Sequence, residues 1–288
     1  MIARAFLASL THPALLASLA ASFFALSPLT SALPARAAQS APVETPGGSL
    51  RLILGAIEPD GTLPALLDIR LEPGWKTYWR APGSSGIPPE LSIEEGSVAL
   101  ARFSLPAPRR LGEGIAQIIG YDRPVAFPLA LTGVPRGVAV PITAEVFVGI
   151  CKDICIPVSA TLTATLPADG HTAPLDQARI DAARKALPEA PGPDFFLEQS
   201  SLDPETGRLS VTLRLPDTSA GQPVDLFLSG PEDFHAGEPV AVSRSGQTAR
   251  FEFPFKPGQA PSSGGEGDAL VLTVRAGGRS METPLAFD

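Results

Sequence analysis

From Val138 to Leu166 apolar and polar residues alternate with a period of two. Val138, Val140, Ile142, Ala144, Val146, Val148 and Ile150 share one face, opposite Ala139, Pro141, Thr143, Glu145, Phe147 and Gly149. Val158, Ala160, Leu162, Ala164 and Leu166 then alternate with Ser159, Thr161, Thr163 and Thr165. This is the period of a strand with one buried face. Shorter runs of the same kind predict strands over Leu50–Ile57, Ala65–Leu71, Trp75–Trp79, Pro124–Leu131, Val138–Ile150 and Val158–Leu166. A second series follows at Phe195–Gln199, Arg208–Leu215, Val224–Leu228, Ala249–Phe255, Ala269–Arg275 and Met281–Ala286. Many short strands separated by turn residues predict antiparallel β-sandwiches. The 32 prolines fit turns and sheet edges rather than long helices.

One stretch has a different period. Leu175, Ile180 with Ala183, and Leu187 recur near helical spacing between prolines, which predicts one helix over Leu175–Leu187. The "PEAPGP" after it reads as a stiff linker. The expected organisation is a first sandwich over residues 43–168, a helix and linker over 174–192, and a second sandwich over 193–288. The second has no cysteine, one histidine (His235) and no chemical constellation.

The N-terminus departs from both patterns. Arg4 precedes an apolar run, "ALLASLAASFFAL" from Ala14 to Leu26, and then Ala35-Arg36-Ala37. This predicts a cleaved secretory signal over residues 1–37, because the run is shorter than the ~20 residues of a spanning helix. The mature chain is expected in the periplasm, where disulfides form, and is not itself membrane-spanning. Removing Arg4 and Arg36 leaves 20 basic against 30 acidic residues, a balance of −10. That charge excludes the electrostatic footprint of a nucleic-acid binder.

The only two cysteines, Cys151 and Cys155, stand in "VFVGICKDICIPV" between the two long alternating runs. In an extended strand they would lie ~13 Å apart, whereas a disulfide needs Cα atoms within ~7 Å. If they pair, the chain reverses within Lys152-Asp153-Ile154 and the cysteines form the mouth of a hairpin. Strand parity places both on the less buried face. A bridge over so small a loop is worth roughly 2 kcal/mol, a weak staple for a chain able to bury two cores, and short accessible bridges are the labile ones. A structural bridge stays open as the alternative, in a non-enzymatic binding or assembly module. Two thiolates could also hold Cu(I) in a copper-handling protein. His171 and His235 are too distant in sequence to suggest a zinc site or a cysteine hydrolase. Lys152 beside Cys151 would favour a thiolate electrostatically and Asp153 would oppose it, but both also read as ordinary solvated turn residues.

Three segments occur in order: "GWKTYWRAPGSSGIPPEL" (Gly74–Leu91), "GIAQIIGYDRPVAFPLAL" (Gly114–Leu131) and "GICKDICIPV" (Gly149–Val158). Together they resemble the N-terminal periplasmic domain of DsbD-type thiol:disulfide interchange proteins, over about Val43 to Leu166. The resemblance implies an immunoglobulin-like sandwich that passes electrons from a membrane-embedded donor to periplasmic thioredoxin-like proteins, without a cofactor. It makes Cys151 and Cys155 the redox pair, with Cys155 joined to the partner in the mixed disulfide. It implies a cap loop at Gly114–Tyr121, with Ile118, Ile119 and Tyr121 shielding the pair. The spacing between the cysteines is shorter than the family's best-known one, and Ala116 and Gln117 replace acidic cap residues. With a second sandwich where the family has a membrane domain and a thioredoxin domain, the donor is expected on a separate chain. Trp75, Tyr78 and Trp79 are expected to pack under the cysteine loop rather than take part in its chemistry.

Overall fold

The two long alternating runs form one antiparallel hairpin, Val140–Cys151 and Cys155–Leu166, paired without interruption from Val140↔Leu166 to Cys151↔Cys155. The structure is a computed structural model and describes residues 38–287 except 84, 85, 95, 113, 115, 116, 232, 233 and 259–268. The signal expected over residues 1–37, and Ala116 of the expected cap, lie outside the described residues.

The first sandwich holds β1 (Val43–Thr45), β2 (Gly48–Leu54), β3 (Leu63–Leu71), β4 (Lys76–Tyr78), β5 (Glu90–Ile93), β6 (Ala99–Phe103), β7 (Arg109–Leu111), β8 (Ile118–Tyr121), β9 (Val125–Thr132), β10 (Val140–Cys151) and β11 (Cys155–Leu166). One sheet runs β1-β2-β3-β9-β6, the other β11-β10-β4-β8-β7, with β5 also on β10. Their inner faces meet in a core that includes Leu52, Leu67, Phe127, Val146 and Leu162. The strands the pattern did not predict here, β1 and β5 to β8, are each three to five residues long. Runs that short carry too few alternations to register as a period.

Helix α1 (Pro174–Lys185) begins with proline at its first turn, where no backbone donor is lost. It lies on the outer face of the first sandwich, with Ile180 and Ala183 against Ile53 and Leu66. Leu175, expected in that stripe, is exposed instead. The proline-rich segment after α1 is tied down: Glu189 donates its N–H to Ser280 O (2.9 Å) and accepts from Glu282 N (3.0 Å).

The second sandwich holds β12 (Phe196–Asp203), β13 (Arg208–Arg214), β14 (Val224–Ser229), β15 (Val240–Ser245), β16 (Thr248–Pro254), β17 (Val271–Ala276) and β18 (Arg279–Pro284). Sheet β12-β13-β16-β15 packs on sheet β14-β17-β18 around Leu209, Val211, Phe253, Leu272 and Met281. Strand β14 is buried on both faces. Leu226 enters this core, while Phe227 enters the core of the first sandwich. The described residues form antiparallel β-sandwiches with one α-helix, consistent with an immunoglobulin-like fold.

Candidate functional site

Cys151 ends β10 and Cys155 opens β11, directly opposite each other with Cα atoms 4.2 Å apart and joined by a disulfide. The reversal falls on Lys152, Asp153 and Ile154, and Lys152 N–H donates to Ile154 O at 3.2 Å. The hairpin mouth thus has the form the spacing requires. Cys155 is exposed, and Ile154 beside it is 70% exposed. Cys151 is 4% exposed, which corrects the expectation that both sulfurs lie on the open face. Cys151 is buried because β4 pairs with the end of β10 (Ile150↔Thr77, Cys151↔Lys76) and lays a side chain over that face. The Thr77 hydroxyl, buried, ties the two strands by donating to Gly149 O at 2.9 Å.

The residue that covers this end of β10 is Tyr78. Its hydroxyl lies 2.9 Å from Cys151 Sγ and 2.8 Å from Cys155 Sγ. Bridged sulfurs carry no hydrogen, so the phenol donates. Two glycines make room for the ring. A Cβ on Gly149 would stand 2.7 Å from Tyr78 Cδ2, and one on Gly86 would stand 3.0 Å from Cδ1. Burial raises the Tyr78 pKa above its ordinary value, which keeps the phenol protonated as a donor. Tyr78 therefore does more than pack. Its signal in the sequence was its place, with Lys76, on alternate positions of "KTY". Only the register with Gly149 turns that into a contact with sulfur.

The other expected site residues stand on β8, which pairs with β4 through Thr77↔Tyr121 and Tyr78↔Gly120. Ile118 and Ile119 are half-buried, and Ile119 packs against the first core. The Ile119 carbonyl accepts Trp79 N–H at 3.0 Å, and its own N–H donates to Pro82 O at 3.2 Å. Tyr121 is in the core. Its hydroxyl donates to Pro106 O at 2.7 Å, its ring lies against Phe127, and burial holds its pKa well above the ordinary value. Lys76, opposite Cys151, and Lys152 are the cations nearest the bridge in register and sequence. Among the described residues no group of three or more His, Cys, Asp and Glu is placed to hold a metal ion, and no helix is long and apolar enough to cross a membrane.

Such an arrangement, one shielded and one open sulfur under a shared hydrogen-bond donor, suits exchange with a thiol brought in from outside. No curated protein matches the chain. Among solved structures it is similar to the N-terminal periplasmic domain of ScsB from Proteus mirabilis, at 20% identity and a TM-score of 0.69. That match covers 87% of this chain and 98% of the other, so the likeness of fold takes in both sandwiches. A marsupial T cell receptor matches at 13% identity with a TM-score of 0.19, too low to bear on the fold. Residues 54–167, the segment that carries Tyr78 and the cysteine hairpin, match the family model of the N-terminal domain of the thiol:disulfide interchange protein DsbD.

Proposed function

We propose that the protein is a periplasmic thiol–disulfide exchange protein working through Cys151 and Cys155. The observation that carries this is the asymmetry at the hairpin mouth: Cys155 open, Cys151 shielded, and the Tyr78 hydroxyl within 2.9 Å of both sulfurs. In the reduced protein the Cys155 thiolate attacks a sulfur of the partner's disulfide. A mixed disulfide forms and one partner thiolate leaves. Cys151 then attacks Cys155 Sγ, closes the bridge seen here and releases the partner's second thiolate. Two electrons pass to the partner, and the pair is reduced again by two electrons from a donor.

The partners that fit are thioredoxin-like proteins of the periplasm, with a membrane-embedded electron donor. Support comes from the family match over residues 54–167. Ile118 and Ile119 act in this reading as the cap, on the strand beside the one that carries Tyr78, and Tyr121 anchors that strand in the core. The division into a redox domain over residues 43–168 and a second domain over 193–288 belongs to the same proposal.

Single-cysteine variants test it. Cys151→Ala, which keeps the open thiol and loses the resolving one, accumulates a reductant-sensitive covalent complex with a thioredoxin-like protein on a non-reducing gel. Cys155→Ala accumulates less. If neither variant traps a purified thioredoxin-like protein, the exchange reading fails and the bridge is structural.

A further inference from the structure

Exchange at the hairpin mouth leaves the second sandwich without a task. Its sheet β14-β17-β18 is used on both faces. Leu226, Leu272, Val274 and Met281 point into the second core. The alternate positions Phe227, Arg275 and Glu282 meet the first sandwich. Phe227 contacts Trp79 edge to face, with ring centroids 6.0 Å apart. Arg80 lies 4.8 Å over the Trp79 ring and pairs with Glu282, which also accepts from the Thr273 hydroxyl at 2.8 Å. Arg110 of β7 covers Phe227 at 4.7 Å and donates to Leu226 O at 2.6 Å, and Arg275 donates to Pro108 O at 3.0 Å. These contacts land on the residues just after Tyr78 or on the β7 strand and its approach.

We infer that the second sandwich is a brace for the sulfur pair. Its Phe227–Glu282 face holds Trp79 and Arg80, fixes the end of β4, and so keeps the Tyr78 hydroxyl against Cys151 and Cys155. Arg80 and Glu282 are positioning residues that act through Tyr78. The joint depends on the stack and the ion pair, because Trp79 Nε1 and Arg80 Nε are buried without hydrogen-bond partners. Loosening Glu282 frees the guanidinium and the indole together, and Tyr78, adjacent in the chain, moves with them. The inference rests on the exchange reading only for what the positioned sulfurs are used for.

The test uses the full chain, reduced, with folding checked by near-ultraviolet dichroism. The pH midpoint of iodoacetamide alkylation is measured for wild type, Glu282→Gln, Tyr78→Phe and the double variant. Tyr78 donates to the thiolate, so its loss raises the midpoint. Glu282→Gln raises it by about half a pH unit, about threefold in thiolate fraction, and adds little once Tyr78 is Phe. A folded Glu282→Gln protein with an unmoved midpoint, or shifts that simply add, overturns the brace. If Glu282→Gln does not fold, Arg80→Lys, which keeps the charge but loses the planar stacking group, is read by the same criteria. Coupled midpoints in a protein that traps no thioredoxin-like partner would support the brace and overturn the exchange reading alone.

Discussion

Tyr78 and Tyr121 are the chain's two tyrosines, and both are buried beside the features that define the site. Burial disfavours the phenolate, so both pKa values are raised above the 10.0 of a free tyrosine. A raised folded-state value contributes stability that is complete below the unfolded value and lost as pH rises through the folded one. The folded protein is therefore expected to form tyrosinate only above the pH at which a free tyrosine titrates, Tyr121 the more strongly displaced of the two. A one-step titration near pH 10 with the dichroism intact contradicts the burial of either ring. In the reduced protein Tyr78→Phe removes a donor from the thiolate, so the alkylation midpoint moves up, and an unmoved midpoint means that the hydroxyl does not serve the thiolate. Little of this was legible in the sequence. "GWKTYWR" declares aromatic residues, but whether Tyr78 faces core or sulfur depends on a register set by β4, a strand of three residues.

At the scale of elements, the β10–β11 hairpin was legible in its faces, because twelve-residue strands repeat their alternation many times, but not in its ends: the pattern predicts Val138–Ile150 and Val158–Leu166 where Val140–Cys151 and Cys155–Leu166 form. At the mouth the pattern misplaces Cys151, which is buried, while Cys155 is exposed as expected, since parity along one strand says nothing about what a neighbouring strand lays over its face. β8 read as a loop for the same reason, being four residues long and known only by its partners β4 and β7. The hairpin also predicts how little the bridge does for stability. The strands pair from end to end without it, and the closed loop is five residues. Reduction is expected to lower the unfolding free energy by about 2 kcal/mol or less, read from denaturant midpoints in oxidised and reduced protein. A reduced chain that no longer folds would make the bridge a structural staple.

The described residues form two sandwiches joined through β14. The order of strands, helix and strands could be read from periodicity, but the joint could not. Phe227 looks like one more apolar residue of a strand, and only the packing shows Leu226 and Phe227 in different cores. Phe227→Ala is expected to cost about 3 kcal/mol or more and to separate the unfolding of the two sandwiches into distinct transitions. A single transition at the wild-type midpoint would show that the joint carries no load. The proposed role of both sandwiches turns on whether the sulfur pair is chemically active. Its reduction potential, measured by equilibrating the full chain with glutathione buffers, tests that most directly. An exposed Cys155 in a five-residue loop predicts a potential within the range of redox-active pairs, above about −300 mV. A value well below about −300 mV, where structural disulfides lie, would contradict it.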